Sequence, residues 1–270
     1  MTESAVEVYG TEIAYQDCGR GPALLFVHGL GLNRHMWRPQ VEHLAASHRV
    51  ITVDVRGAGE SGVLAGGQPV LATQAADLDR LLTHLGIDRV VLCGVSFGGV
   101  LAQEFALNHP DRLAGLVVVD SFPDTRLAGI ARRISLRAGA YLAAPMLLLP
   151  PAVLVPSIRK VYRRWPLAQQ EVVAGYQSMR RRETARMRLA INRIDYRPRL
   201  HQVDCPVLGI VGDESEQLIE LMRGLIDATE HGRLEVLTDS FDPSNLCQPE
   251  RFNELLAAFL SELDWAERPG

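Results

Sequence analysis

The segment RVVLCGVSFGG, residues 89–99, restricts the fold of this chain more than any other stretch. A short apolar run ends in a G-x-S-x-G motif, Gly94–Gly98, and a helix is predicted to begin near Phe97. The glycines permit a tight turn between strand and helix, and this turn lifts Ser96 above the end of the strand. The free N–H groups of the helix N-terminus favour negative charge there. We therefore expect an exposed serine with nucleophile-like placement.

Five further short apolar runs have the pattern of buried strands. They are rich in β-branched residues and bounded by turn residues, as strands of a parallel sheet are. Helical patterns lie between them, for example over 71–85 and over 249–263, where Pro249 suits the first turn. This alternation predicts a doubly wound α/β sheet, and VEVYGTEIAYQDCG predicts an antiparallel hairpin at its edge. The six predicted strands are 23–27, 49–53, 89–93, 115–119, 206–211 and 233–237.

Composition places the chain among ordinary globular proteins. It has 270 residues, of which 47% are hydrophobic and 22% charged, and a net charge of −4 that gives no whole-chain argument for nucleic acid. The four cysteines lack metal-type spacing and predict free thiols in a reducing compartment. The first residues lack a secretory signal pattern, so we expect a cytoplasmic protein. No P-loop, dinucleotide fingerprint or metal cluster is visible, so we expect no cofactor.

The alternation stops between residues 122 and 200, where we predict a helical, basic lid over one end of the sheet. Residues 126 to 199 hold 16 Lys and Arg residues against three acidic ones. Prolines interrupt the apolar stretch 138–156, so no membrane-spanning segment of about 20 residues is expected. The predicted core therefore comprises 1–121 and 201–270. The basic surface is either a solvated helical face or one that attracts an anionic or carrier-bound substrate; nucleic acid is not expected.

Three motifs resemble those of the α/β-hydrolase superfamily, specifically its small members that carry a cap. They are HGLG at His28, DVRGAGES at Asp54 and GVSFGG at Gly94, and they match in type, order and spacing. LCQPERFNELLAAFL also resembles the final helix of that family. The resemblance covers nearly the whole chain. It implies the α/β-hydrolase fold, with a mostly parallel eight-stranded sheet, helices on both faces and a helical lid.

The resemblance also implies roles for the residues of two motifs. Ser96 matches the nucleophile, and the backbone N–H groups of Leu30 and Phe97 match the oxyanion hole. The expected substrate-binding residues are Leu30, Phe97, His28 and Gly29. His28 is usually a scaffold residue in this motif, and a proton-transfer role for it is the minor alternative.

The pattern breaks at two of the three triad positions. The family places its acid three residues after the glycine that ends the seventh strand, here Gly212, and that position holds Ser215. It places its histidine a few residues before the Pro-Glu pair of the last helix, and that position holds Asp242. None of the three histidines that follow Ser96 is expected at the catalytic edge of the sheet. A serine hydroxyl without an adjacent base is a poor nucleophile, so ordinary ester hydrolysis is disfavoured.

Asp242 and Asp120 are the carboxylates with which the site could be rebuilt. Asp242 would serve as a general base if an apolar lid raised its pKa; the alternative is a solvated turn residue. Asp120 ends the predicted strand 115–119, and it either fills the role of the missing acid or is structural. Asp213 and Glu214 also lie near the vacant acid position.

Three functions follow from these residues. The first is an enzyme that uses a lyase- or cyclase-type step on a carbonyl- or ester-bearing small molecule, in small-molecule biosynthesis, with Ser96 and the oxyanion loop stabilising negative charge. The second is a serine ester hydrolase with a displaced triad. The third is a ligand-binding protein without catalysis. The oligomeric state stays open.

Overall fold

The computed structural model of the chain describes residues 2–125 and 144–265. Its centre is a single sheet of eight strands. The six apolar runs form strands within a few residues of the predicted bounds, and the amino-terminal hairpin is present as expected. The strands are β1 Thr2–Val8, β2 Thr11–Cys18, β3 Ala23–Val27, β4 Arg49–Val53, β5 Val90–Val95, β6 Leu113–Val119, β7 Val207–Gly212 and β8 Gly232–Leu237.

The strand order across the sheet is β1-β2-β4-β3-β5-β6-β7-β8. β1 pairs with β2 and β2 with β4 in antiparallel fashion, and all later neighbours are parallel. Every residue of β3, β5, β6 and β7 is buried. Strands covered on both faces have no solvated side, which explains their continuous apolar sequences.

Helices cover both faces of this sheet. Leu78 and Phe105 belong to the apolar cluster of one face, and Val41 and Phe252 belong to that of the other. The last helix begins at Pro249, as its sequence predicted. The helices described are α1 Arg38–Leu44, α2 Val70–His84, α3 Phe97–Asn108, α4 Pro151–Val161, α5 Pro166–Ser178, α6 Arg181–Ala190, α7 Glu216–Ile226, α8 Ser244–Cys247 and α9 Pro249–Glu262.

The strand order creates a crevice at the carboxyl edge of the sheet. β3 lies between β4 and β5, so the chain runs from β3 to one side and then returns to the other. The loops that leave β3 and β5 therefore diverge, and ligands of open α/β sheets bind at such switch points. The HGLG loop follows β3 and the G-x-S-x-G turn follows β5.

The insertion between β6 and β7 contacts the loops at this edge. The indole N–H of Trp165 donates a 2.8 Å hydrogen bond to the carbonyl of Asp239, beyond β8. A side chain at Gly175 would lie 2.5 Å from that of Leu32, beyond β3. Residues 126–143 of the predicted lid lie outside the described residues, and the division into core and lid stays a prediction. None of the helices in the described ranges is long and apolar enough to span a membrane.

Candidate active site

Ser96 occupies a strained turn between β5 and α3. Its φ of 55° and ψ of −113° are rare for a residue with a side chain. The turn requires its glycines, because a Cβ at Gly94 would lie 2.1 Å from the carbonyl oxygen of Gly98. A Cβ at Gly98 would lie 2.3 Å from the carbonyl oxygen of Val27. Glycine spacing therefore holds the serine side chain above the strand end, as the sequence predicted.

Asp242 is the hydrogen-bond partner of this serine. The Ser96 hydroxyl donates to Oδ2 of Asp242 over 2.8 Å. Asp242 lies in the loop between β8 and α8, at the position where the resemblance expected histidine. Its side chain is partly buried and lines a cavity with Ser96. The alternative of a solvated turn residue is wrong, because the carboxyl group is desolvated and bonded to the serine.

The pKa of Asp242 is raised to about 8. Burial is the largest cause, since it penalises the charged form, and the negative charge of Asp120 is the second. The hydrogen bond from Ser96 acts in the opposite direction. A carboxyl group with this pKa can both accept and donate a proton near neutral pH.

Asp120 lies directly after β6 in a left-handed conformation, with φ of 46°. Its Oδ1 accepts the N–H of Gly212 at 2.9 Å, and its Oδ2 accepts the N–H of Ser244 at 2.6 Å. Oδ2 also accepts the Ser244 hydroxyl. Burial raises the pKa of Asp120, and these hydrogen bonds oppose the rise. Sequence reasoning missed Ser244, although it lies two residues after Asp242.

The charge of Asp120 acts on Asp242, so these two carboxyl groups titrate as a pair. Three hydrogen-bond donors stabilise the ionised form of Asp120, whereas one donor contacts Asp242. The proton of the pair therefore resides on Asp242, and Asp120 carries the charge. Among the described residues, Asp120 makes no hydrogen bond to Ser96, so it acts on the site through its charge.

His28 is a scaffold residue of the loop after β3. Its Nδ1 lies 2.8 Å from the carbonyl oxygen of Gly29, and the N–H of Val55 donates to its Nε2 over 3.2 Å. Burial lowers the pKa of His28, which keeps the imidazole neutral. Both ring nitrogens are thus engaged, and the alternative proton-transfer role for His28 is wrong.

The predicted oxyanion donors lie beside the serine. Phe97 is the first residue of α3, so its N–H has no acceptor within the helix. Leu30 and Gly29 line the same cavity as Ser96, and a Cβ at Gly29 would lie 3.7 Å from the Cβ of Ser96. Joint binding of a substrate oxygen by the N–H groups of Leu30 and Phe97 stays a prediction.

The vacant acid position after β7 has a structural role. Ser215 caps α7, where its Oγ accepts the N–H of Leu218 at 3.3 Å. Asp213 accepts the N–H of Ser240 at 3.1 Å, and Glu214 pairs with an arginine of the insertion at the surface. These side chains are engaged elsewhere and do not replace the missing acid.

The cavity over Ser96 and Asp242 measures about 400 Å³. The Tyr162 hydroxyl, from the end of α4, donates to the main-chain carbonyl of Asp242 and ties the insertion to the site. Sequence reasoning missed this contact, because 80 positions separate the two residues. The apolar and aromatic residues that line the cavity include Leu32, Ile158, Val172, Tyr162, Tyr176 and Phe241. A cavity with this lining suits a small, largely apolar molecule.

Comparison with known proteins agrees with this architecture. The family model described as alpha/beta hydrolase fold matches residues 22–141. A protein named carbamate hydrolase RutD, from Azorhizobium caulinodans, is 28% identical over 94% of this chain and 96% of its own length. A protein named 3-oxoadipate enol-lactonase 2, from Acinetobacter baylyi, is 29% identical over 90% of each chain.

Solved structures share the fold over nearly the full length. A thermophilic esterase from Thermogutta terrifontis superimposes with a TM-score of 0.84 at 28% identity, covering 97% of this chain and 99% of its own. The relatives are named as hydrolases, which supports an enzymatic role for this chain. With its eight-stranded sheet, its serine elbow and a family model that matches residues 22–141, the chain has the α/β-hydrolase fold.

Proposed function

We propose that this protein is an enzyme that moves protons on a carbonyl- or ester-bearing small molecule through Asp242. The observation that carries the proposal is the 2.8 Å hydrogen bond between Ser96 and Asp242. It places a carboxyl group with a pKa of about 8 where a general acid–base is needed. The reaction is of the lyase or cyclase type, and it fits a step in small-molecule biosynthesis.

The chemistry follows from the positions of the donors and acceptors. The Asp242 carboxylate removes a proton from the carbon next to the substrate carbonyl. The electron pair of the C–H bond forms an enolate, and its oxygen is stabilised by the N–H groups of Leu30 and Phe97. The enolate then expels a leaving group, attacks a second carbon to close a ring, or regains a proton from Asp242. Ser96 donates a hydrogen bond to the carboxylate or to the substrate oxygen.

The charge balance favours this step over ordinary ester hydrolysis. In a serine–histidine pair, proton transfer creates an imidazolium next to the oxyanion that forms. Transfer from Ser96 to Asp242 instead leaves a neutral carboxylic acid, so the tetrahedral oxyanion has no imidazolium beside it. An enolate instead spreads its charge over the substrate and toward the backbone donors.

Serine-dependent hydrolysis is the second candidate. A nucleophile in hydrogen-bond contact with a base is its structural requirement, and Ser96 and Asp242 meet it. The names of the relatives, which are hydrolases, favour it too. Under this candidate Asp242 takes the proton of Ser96 and passes it to the departing alcohol. Ser96 forms an ester with the substrate acyl group, and water then hydrolyses that ester.

Proton exchange tests the first candidate without knowledge of the substrate. We expect the protein to speed exchange of the α-protons of 4-phenyl-2-butanone in deuterium oxide, followed by proton NMR. Asp242→Asn should slow this exchange by at least about 100-fold, since general acid–base groups contribute roughly 10²- to 10⁴-fold. Asp213→Asn, at the end of β7, is the matched control and should retain the rate. If Ser96→Ala and Asp242→Asn both catalyse α-proton exchange at the wild-type rate, the roles assigned to Ser96 and Asp242 are refuted.

Covalent labelling separates the two candidates. A fluorophosphonate probe should label Ser96 rapidly, and a p-nitrophenyl ester should turn over, if hydrolysis is the activity. The first candidate predicts that the probe labels Ser96 slowly. It also predicts that the labelled protein has little remaining α-proton exchange. A protein that only binds ligands would show neither exchange nor ester turnover.

A further inference from the structure

Tyr176, on α5, lines the cavity that holds Ser96 and Asp242. Its ring packs on the loop after β3, because a Cβ at Gly31 would lie 3.5 Å from Cε2 of Tyr176 and 3.8 Å from its Cδ2. Cε2 is bonded to the carbon that carries the hydroxyl, so the hydroxyl lies close to this loop. Gly31 directly follows Leu30, whose N–H is one of the two predicted oxyanion donors. The Tyr176 hydroxyl therefore lies beside the expected position of the substrate carbonyl.

The Tyr176 hydroxyl has a hydrogen-bond donor that the protein does not use. Among the described residues, none accepts a hydrogen bond from it. Tyr162, the other tyrosine of the cavity, donates to the main-chain carbonyl of Asp242. Ser96 donates to the carboxylate of the same residue, and Ser157 is exposed. Of the cavity hydroxyls described, that of Tyr176 is the one that is partly buried and still available to a ligand.

Tyr176 keeps its proton near neutral pH. Burial raises the pKa of Tyr176, and the negative charge of Asp242 raises it further. Arg188 acts on this pKa in the opposite direction and less strongly. A tyrosine with a raised pKa is a hydrogen-bond donor rather than a phenolate. The hydroxyl can therefore donate to a substrate oxygen while the Asp242 carboxylate accepts a proton.

This donor needs a second oxygen on the substrate. The carbonyl oxygen has two lone pairs, and the N–H groups of Leu30 and Phe97 are expected to use both. In the proposed reaction the enolate can expel a leaving group from the β carbon, which is bonded to the carbon that loses its proton. The cavity measures about 400 Å³, which is small, so a substrate whose carbonyl lies at Ser96 extends to Tyr176.

We propose that the Tyr176 hydroxyl donates a hydrogen bond to an oxygen on the β carbon, so that the substrate is a β-hydroxy carbonyl compound and the reaction is loss of water. This inference rests on the proposed function, because it selects elimination among the steps of the enolate. Asp242 removes the α-proton, the electron pair of the C–H bond becomes the C=C bond, and the C–O bond breaks. The departing oxygen takes that proton from Asp242 and leaves as water. Tyr176 keeps its own proton and stabilises the negative charge that develops on the departing oxygen.

Matched ketones with and without the β-hydroxyl test this role. Wild type should convert 4-hydroxy-4-phenyl-2-butanone to the conjugated 4-phenyl-3-buten-2-one, followed by ultraviolet absorbance. Tyr176→Phe keeps the ring on Gly31 and removes only the hydroxyl. It should lower the rate of dehydration at least about tenfold, the size of a hydrogen bond to a charged group, while exchange of the α-protons of 4-phenyl-2-butanone stays within about twofold. Tyr9→Phe, at an exposed tyrosine, is the control and should change neither rate.

Binding tests the contact without turnover. Asp242→Asn lacks the proposed base, so isothermal titration calorimetry on this variant measures the affinity for each ketone. We expect the hydroxy ketone to bind at least about threefold more tightly than the ketone without the hydroxyl, as one neutral hydrogen bond allows. Addition of Tyr176→Phe to Asp242→Asn should remove this preference.

Several outcomes would overturn the role of Tyr176. They are unchanged dehydration in Tyr176→Phe, an equal loss of dehydration and exchange in that variant, exchange without dehydration by wild type, and a binding preference that is absent or that survives in the double variant. Melting curves of each variant establish that it is folded. If Asp242→Asn and Ser96→Ala leave proton exchange unchanged while the binding preference depends on Tyr176, the proposed function fails and the contact between Tyr176 and the β-oxygen stands.

Discussion

The Ser96 hydroxyl donates a 2.8 Å hydrogen bond to the carboxylate of Asp242, 146 positions further along the chain. An acidic group thus stands in contact with the serine of the elbow, where the superfamily pattern has an imidazole. Because Asp120 lies behind it as a second carboxylate, the site holds one serine and two acids with a single exchangeable proton. This combination has consequences for pH dependence, stability and engineered activity.

Replacing Asp242 by Asn should stabilise the protein increasingly as the pH rises. In the folded state its pKa is about 8, against 3.8 for the unperturbed group. Between these values the folded protein holds a proton that the unfolded chain has released, so its stability falls with pH by up to about 1.4 kcal/mol per unit. Asparagine does not titrate, so the difference in the free energy of unfolding should grow from pH 4 to pH 8. Urea unfolding at several pH values measures it.

Asp213→Asn is the control for this stability effect. Asp213 is exposed and does not line the cavity of Ser96 and Asp242. Its carboxyl group accepts the N–H of Ser240. We expect no comparable growth with pH for that variant. A difference between wild type and Asp242→Asn that stays constant from pH 4 to pH 8 would contradict the raised pKa.

The rate of α-proton exchange should rise with pH and level off above about 8, the pKa of Asp242. Below that value the carboxyl group is protonated and cannot accept a proton, so the rate should fall about tenfold per pH unit. Asp120→Asn removes the charge that helps raise this pKa, so the midpoint should move to lower pH. A pH profile of exchange for each protein measures both effects.

An unmoved midpoint in Asp120→Asn would mean that burial alone sets the pKa of Asp242. Loss of the Ser244 hydrogen bonds is the main structural risk of this variant. Ser244→Ala serves as the comparison, since it removes a donor to Asp120 while leaving the carboxylate in place.

Asp242→His should create ester hydrolysis. The imidazole would stand beside Ser96, and Asp120 would lie close by as the acid, completing a triad on the existing elbow. We expect turnover of p-nitrophenyl butyrate to rise at least about 100-fold, the scale of a general-base contribution. Adding Asp120→Asn should lower it again. No gain in Asp242→His would show that Asp120 and position 242 are not arranged as acid and base.

Tyr162→Phe should loosen the loop that carries Asp242. The Tyr162 hydroxyl donates to the main-chain carbonyl of Asp242, and its loss should cost about 1 kcal/mol in the free energy of unfolding. The rate of proton exchange should fall because the carboxyl group is held less firmly. Tyr9→Phe, at a residue that is 64% exposed, is the control and should change neither. Equal stability and equal exchange in Tyr162→Phe would show that the insertion does not position the base.

The local sequence determined the strands and helices of the fold and the conformation of Ser96. β5 and α3 are joined by G-x-S-x-G, where a Cβ at Gly94 would clash at 2.1 Å, so the conformation of Ser96 follows from neighbouring residues alone. The buried strands could also be predicted from the sequence, because a strand that is buried on both faces needs a continuous apolar run. The substitution of Asp242 for histidine was visible for the same reason, since its distance from Pro249 is a local property.

The tertiary structure decided what these residues do to one another. The pKa of Asp242 depends on burial and on the charge of Asp120, which is 122 positions away in the sequence and whose effect requires both β6 and β8 to be in place. The sequence left Asp242 between a solvated turn and a base, and packing of the insertion over it resolved the choice. Desolvation and Coulomb interaction act through space, so a linear pattern can name the charged residues but not their energies.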